Sequence, residues 1–429
     1  MSNIDNKTQN ILLLESIRAG IPSKLMIENL PDLREKHTNI IDEDLEKLEK
    51  NISPQGRIIW GEYGQGKTHF LKMVEQYVLS KGFAVSYYTL NRDLGLNNLK
   101  NLFPVLAGQT MTGNNKIPGI MNCLGNDPLP NDLTQNIADM GDKISHPLPA
   151  YMLQAFLSFK DADEMMSLYN SITGNSKYWT SSKSICRKVL KYEIKNMPKF
   201  SIKENSIAFF EFFPHLLKML GFKGWIILLD EIELIGKLGK IGRLNSYLNL
   251  SYLLNWSKEH SLPIYTLAAS AKTLQTDVFY SKKKDFNKMP EVAMEKYGPN
   301  SLALINNFFT KAFKSTRNLN LNPIRSKEFL KLFQSLIEIH QKAIDWQIPP
   351  CEELANKIIK IIRPEFKPVR VTIRMMIELL DIYAVKGTLV ENITEEESSE
   401  YDLNNEDFND NEETSGLTEQ PLSEMFDEV

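Results

Sequence analysis

Eight residues constrain this chain more than any others: Gly61-Glu62-Tyr63-Gly64-Gln65-Gly66-Lys67-Thr68. They fit the spacing G-x-x-x-x-G-K-[ST], and their three glycines let backbone N–H groups turn onto an anion without Cβ clashes. The apolar run Arg57-Ile58-Ile59-Trp60 leads in and predicts a buried strand. Residues 69–79 carry apolar side chains at helical spacing, so a helix N-terminus faces the anion. In such a loop the lysine reaches the β- and γ-phosphates of a nucleotide, and the hydroxyl residue after it holds Mg²⁺. The expected nucleotide contacts are therefore Gly61, Gly64, Gln65, Gly66, Lys67, Thr68 and His69, with Lys67 also catalytic and Thr68 on the metal. The plainer alternative is a Gly-rich turn ahead of an ordinary helix. The coincidence of strand, loop and helix argues against it.

Binding a nucleotide does not hydrolyse it; that needs a metal carboxylate and a positioned water. Ile226-Ile227-Leu228-Leu229-Asp230-Glu231 predicts a buried strand with acids at its C-terminal end. Asp230 is placed to hold Mg²⁺, and Glu231 stands where ATPases of the AAA+ class keep the base that polarises water. Glu233 is expected to face solvent. Ser270 ends the next apolar run, 264–270, where a polar residue can sense the γ-phosphate; Thr273 is the alternative. Arg370 and Arg374, one helical turn apart, are candidates to reach the nucleotide from a lid. Arg243 is a candidate arginine finger acting in trans. Lys282-Lys283-Lys284, with Phe286 and Lys288, reads as a solvated loop in preference to a phosphate-backbone contact.

Along the chain, residues 8–50 read as helices, with Gly20-Ile21-Pro22-Ser23 ending one and capping the next. Residues 83–90 read as a parallel-sheet strand. Residues 105–150 are rich in Gly, Pro, Asn and Asp; helical patterns follow near 148–160, 162–173, 182–195 and 204–221. About 110 residues separate this βαβ unit from the next strand, too many for a crossover, which predicts a helical insertion. From about 300 the pattern becomes wholly helical. The expected domains are 1–52, an N-terminal helical segment; 53–299, a core with an insertion at about 105–205; 300–387, a C-terminal helical lid; and 388–429, an acidic tail disordered in the free protein. In the tail, Leu422-Ser423-Glu424-Met425-Phe426-Asp427 is read as solubilising, with partner docking as the alternative.

Charge divides the same way. Fifteen of the 54 acidic residues lie beyond Lys386, leaving 50 basic against 39 acidic up to and including it, a formal +11 in a chain whose net charge is −4. A basic body is compatible with nucleic-acid contact. Three scattered cysteines offer no disulfide framework or zinc spacing. No apolar run approaches a membrane span, and the polar first residues predict no signal peptide. The expected location is cytoplasmic.

The same residues carry a resemblance. Residues 14–22 ahead of the loop, the loop itself, and Gly224 to Glu233 resemble the ATP-binding proteins of bacterial BREX phage-defence islands. So do residues from Pro323 onward, with His340 late in a long helix, and Arg370 and Arg374 ahead of Leu380-Asp381. The resemblance covers 8–100 and 205–387 in outline. It departs at Ala269-Ser270-Ala271, where that family has Gly-Thr-Pro, and 105–200 cannot be matched. It implies an α/β fold of the AAA+-like P-loop NTPase kind: an open parallel sheet, a helical insertion and a helical, winged-helix-like lid. It implies ATP and Mg²⁺ as cofactors and, as partners, DNA and other defence proteins such as a helicase. A homo-oligomer stays open. The alternatives are a replication initiator or helicase loader with the same core, and a nucleotide-gated scaffold with little turnover.

Overall fold

The structure is a computed structural model that describes residues 6–20, 24–113, 117–125, 137, 139–158, 161–190, 199–201, 205–256, 262–314, 318–322, 324, 326–347, 349–364 and 367–389. The expected turn at 21–23, Pro323 and all of the acidic tail beyond residue 389 lie outside the described residues.

Three helices come first, α1 (Asn6–Ala19), α2 (Lys24–Asn29) and α3 (Glu35–Glu49), then β1 (Arg57–Gly61), α4 (Lys67–Ser80) and β2 (Ala84–Thr89). Next are α5 (Leu99–Gly108), β3 (Thr110–Met111), α6 (Met121–Gly125), α7 (Leu148–Ser158), α8 (Ala162–Ile172), α9 (Trp179–Val189) and α10 (Ile207–Met219). β4 (Trp225–Asp230), α11 (Lys240–Leu253) and β5 (Ile264–Ala271) follow, then a π-helical stretch, Leu274–Ser281. The chain closes with α12 (Asp285–Tyr297), α13 (Pro299–Phe313), β6 (Leu319–Asn320), α14 (Ser326–Ile344), α15 (Cys351–Ile362) and α16 (Val369–Lys386).

The strands form one mostly parallel sheet in the order β3-β2-β4-β5-β1-β6. The chain clusters into two compact units that share β1: one holds the described residues of 1–40, 59–76 and 319–408, the other those of 41–58 and 77–318. In the second unit β2 and β4 run parallel with Ala84 opposite Trp225 and Thr89 opposite Asp230; β4 and β5 run parallel from Trp225 opposite Ile264. All six residues of β4 are buried, as expected of a strand covered on both faces. The open parallel sheet that the resemblance implies has one antiparallel edge: β3 runs antiparallel to β2. It is only two residues long, and buried Ser86 and Thr110 join their hydroxyls at 2.9 Å across the pair.

The inserted helices share the core of this unit. Trp179 of α9 stacks on Phe209 of α10 at 5.2 Å, and Phe210 and Phe213 of α10 pack on Trp225 of β4. The triple lysine lies, as expected, in a short non-helical link, here between the π-helical segment and α12. The ten-residue helix α5 is capped by the Asn98 side chain, and its last four residues reach into the Gly-, Pro-, Asn- and Asp-rich stretch 105–150.

In the first unit β6 pairs parallel with β1, Ile59 opposite Leu319 and Trp60 opposite Asn320, within a region expected to be all helical. Its helical core joins Leu13, Leu14 and Ile17 of α1 to buried residues of α14, α15 and α16. Among the described residues from 326 to 389 there is no strand to form the wing of a winged helix.

Candidate nucleotide site

The glycine loop 61–68 runs from the end of β1 into α4 and is built as its glycines require. Gly64 (φ 76°) and Gly66 (φ 81°) lie in the left-handed region that side chains disfavour. A Cβ on Gly66 would meet nothing within 4 Å, so backbone conformation demands glycine there and leaves a cradle open. The loop is braced from within. The Gln65 side-chain oxygen accepts from Glu62 N–H at 2.9 Å, and Gln65 N–H donates to the Glu62 carbonyl at 3.3 Å. Gln65 therefore shapes the loop. Lys67 is buried, its ammonium donating to the carbonyls of Gly61 and Glu62 at 3.4 and 3.2 Å. Thr68 is exposed. His69 is half-buried; burial lowers its imidazole from the ordinary histidine value, and its Nδ1 has no hydrogen-bond partner.

The same unit brings α16 to the loop. A Cβ on Gly64 would stand 3.0 Å from Cβ of Pro368, the residue that caps α16. Arg370, on the first turn, donates to the carbonyls of Ala19, which ends α1, and of Gly20 after it at 3.1 and 3.4 Å. Arg374 pairs with Glu378 at 3.2 Å. Both guanidiniums thus have partners inside their own unit. The Pro368 approach has no sequence signature, because it joins residues some 300 positions apart.

In the second unit, Asp230 ends β4 fully buried and both of its oxygens are engaged. Tyr87 of β2 donates its phenol to Oδ2 at 2.8 Å, and the N–H of Glu231 donates to Oδ1 at 3.0 Å. Glu231 is exposed and adopts φ 58°, ψ 40°, a left-handed conformation uncommon for a residue with a Cβ. Such backbone strain concentrates at functional sites. Glu233, expected to face solvent, is half-buried and accepts from Ala271 N–H at 3.0 Å, tying the end of β4 to the end of β5. Ser270 is buried and its hydroxyl donates to the Ala271 carbonyl at 3.0 Å; Thr273 is exposed.

Two other candidates are corrected. Arg243 is buried, bound to Asp285 at 2.7 and 2.9 Å and to the Leu238 carbonyl at 2.8 Å, so it is not presented as a finger to another subunit. The triple lysine is not a uniform basic surface: Lys283 is buried, and Lys282 pairs with Asp277 at 3.1 Å.

Among the described residues no cluster of three or more His, Cys, Asp or Glu is placed to hold a metal ion. A hydroxyl and a single carboxylate, completed by phosphate oxygens and water, are instead the donors that Mg²⁺ takes at nucleotide sites. Thr68 and Asp230 are of those types. No helix among the described residues is long and apolar enough to cross a membrane.

No curated protein matches the chain. A family model described as "BREX system ATP-binding protein BrxC/D" matches residues 5–121 and 199–389, which contain the glycine loop 61–68, Asp230 and Glu231, and the helices of the C-terminal region. Residues 122–198, between the two matched segments, hold most of the helical insertion. With more than half of its length matched, the chain belongs to the family of BREX system ATP-binding proteins.

Proposed function

We propose that the chain is a Mg²⁺-dependent ATPase of the AAA+ type that works in BREX phage defence. The observation that carries this reading is the phosphate loop: left-handed Gly64 and Gly66 around a buried Lys67 ammonium, with the α4 N-terminus behind them. Backbone N–H groups of this loop bind phosphate oxygens, and Lys67 neutralises the β- and γ-phosphates. Thr68 and Asp230 hold the metal, which when bound offsets the charge that develops on the transferred phosphoryl group. Glu231 orients the attacking water and takes its proton. Ser270, Arg370 and Arg374 report the γ-phosphate, the arginines by exchanging their present partners for it. DNA and a helicase of the same defence system are the proposed partners, supported by the basic body of the chain and by family membership.

Calorimetry with ATP tests the binding half. Lys67→Ala should lose at least tenfold in affinity, and unchanged affinity would sink the assignment. Glu231→Gln should bind ATP like the wild type while phosphate release falls by two orders of magnitude or more. Hydrolysis at the wild-type rate in that variant would remove Glu231 from the chemistry.

A further inference from the structure

We propose that Tyr87 is a positioning residue for the metal carboxylate, setting the direction in which Asp230 presents its oxygens. The inference rests on the reading above that Asp230 serves Mg²⁺. Mg²⁺ demands near-ideal octahedral geometry, so a carboxylate that must hold it directly or through its water cannot swing freely.

Asp230 is the last residue of β4 and is buried, with a protein donor on each oxygen. The donor on Oδ1 is the N–H of Glu231. The donor on Oδ2 is the Tyr87 phenol. Strand register explains why a tyrosine does this. Tyr87 lies opposite Leu228, two residues before Asp230, and on a strand such residues share a face. Two residues of strand rise span about 6.6 Å, the reach of a tyrosine from Cα to hydroxyl and beyond that of Ser or Thr. Each Asp230 oxygen keeps a lone pair beyond the one its donor uses. Tyr87 therefore orients the carboxylate without consuming its capacity for a metal, as partners that hold a metal's ligands do elsewhere.

The test is the affinity of the full chain for a non-hydrolysable ATP analogue, measured by calorimetry across a Mg²⁺ series. Tyr87→Phe keeps the ring and removes only the donor. It should raise the Mg²⁺ concentration for half-maximal enhancement of nucleotide affinity about tenfold, within the range typical of such partners, and leave metal-free affinity unchanged. A half-maximal concentration equal to or below the wild type's overturns the proposal, the latter because it would mean that the phenol competes with the metal. Asp230→Asn and the double variant Tyr87→Phe with Asp230→Asn close a cycle. If Tyr87 acts through Asp230, its loss adds nothing in the Asn background; an additive loss overturns the proposal even if the single variant is less stable. A wild-type protein whose nucleotide affinity ignores Mg²⁺ would overturn the metal reading as well, and the fault would already show without any substitution.

Discussion

Arg243 shows how one residue's surroundings decide its use. A guanidinium in a buried two-bond pair with Asp285, with Tyr247 donating to the same carboxylate at 2.7 Å, is fixed structure. Arg243→Ala should remove the cation from the buried Asp285 carboxylate, at a cost of about 3–5 kcal/mol. Urea unfolding of the variant checks this, and a loss under 1 kcal/mol would show that the carboxylate finds another partner. Gly64 is the complementary case at the phosphate loop. Its φ of 76° and the 3.0 Å approach to Pro368 both oppose a side chain. Gly64→Ala should therefore strain the loop by about 1–2 kcal/mol and weaken ATP binding roughly tenfold by calorimetry, while the β4 acids are untouched. Glu231 carries its left-handed backbone with a Cβ in place.

At the level of elements, α1, α14 and α16 are joined by a polar network inside their apolar core. His340 of α14, fully buried, accepts the Trp346 indole N–H on Nδ1 at 2.9 Å, so its proton sits on Nε2 and is donated to Asp381 of α16 at 3.0 Å. Arg18 of α1 binds the other Asp381 oxygen at 2.7 Å and also lies near Glu15 and Glu378. Burial, with some help from Arg18 and against Asp381, lowers the His340 pKa below its ordinary value. His37, His69 and His215 shift the same way, burial being the largest cause in each. A depressed histidine is neutral in the fold and protonates more readily when unfolded. Its stabilisation is thus complete above about pH 6.5 and lost as pH falls through the folded value. Thermal midpoints should hold steady from pH 8 to 7 and decline from pH 6.5 to 5. His340→Gln should flatten part of that decline. A midpoint that rises on acidification would contradict the sign.

For the whole molecule, charge is the variable that the fold leaves open. The body through Lys386 is formally +11 and the intact chain −4, so residues 388–429 should compete with nucleic acid for basic surface. Deleting them should strengthen a sequence-tolerant DNA affinity that falls with salt, by a log–log slope of about −0.9 per phosphate contacted. A DNA titration at several salt concentrations checks it. No salt-dependent binding by the truncated chain would assign DNA contact to a partner. The melting temperature should not change, because the tail has too little apolar surface to offset the entropy of ordering.

How much of this was legible beforehand follows from the range of the interactions involved. The sequence by itself determined the glycine loop between β1 and α4, the β4 strand ending in Asp230 and Glu231 beyond it, β2, β5 and the C-terminal helices. These depend on side-chain period, glycine conformation and short spacings, all local properties of the chain. It left the two-residue β3 and β6 invisible, since so short a strand has no period and exists only through its partner. It also placed Glu233 in solvent and offered Arg243 to a neighbouring subunit, because a charge's exposure depends on what packs over it. Only tertiary structure decided that the phenol of Tyr87 meets Asp230, 143 residues away, that Pro368 abuts Gly64, and that α1 shares a core with α14 and α16. Strand register and helix packing bring those pairs together, and neither is written in the residues that meet.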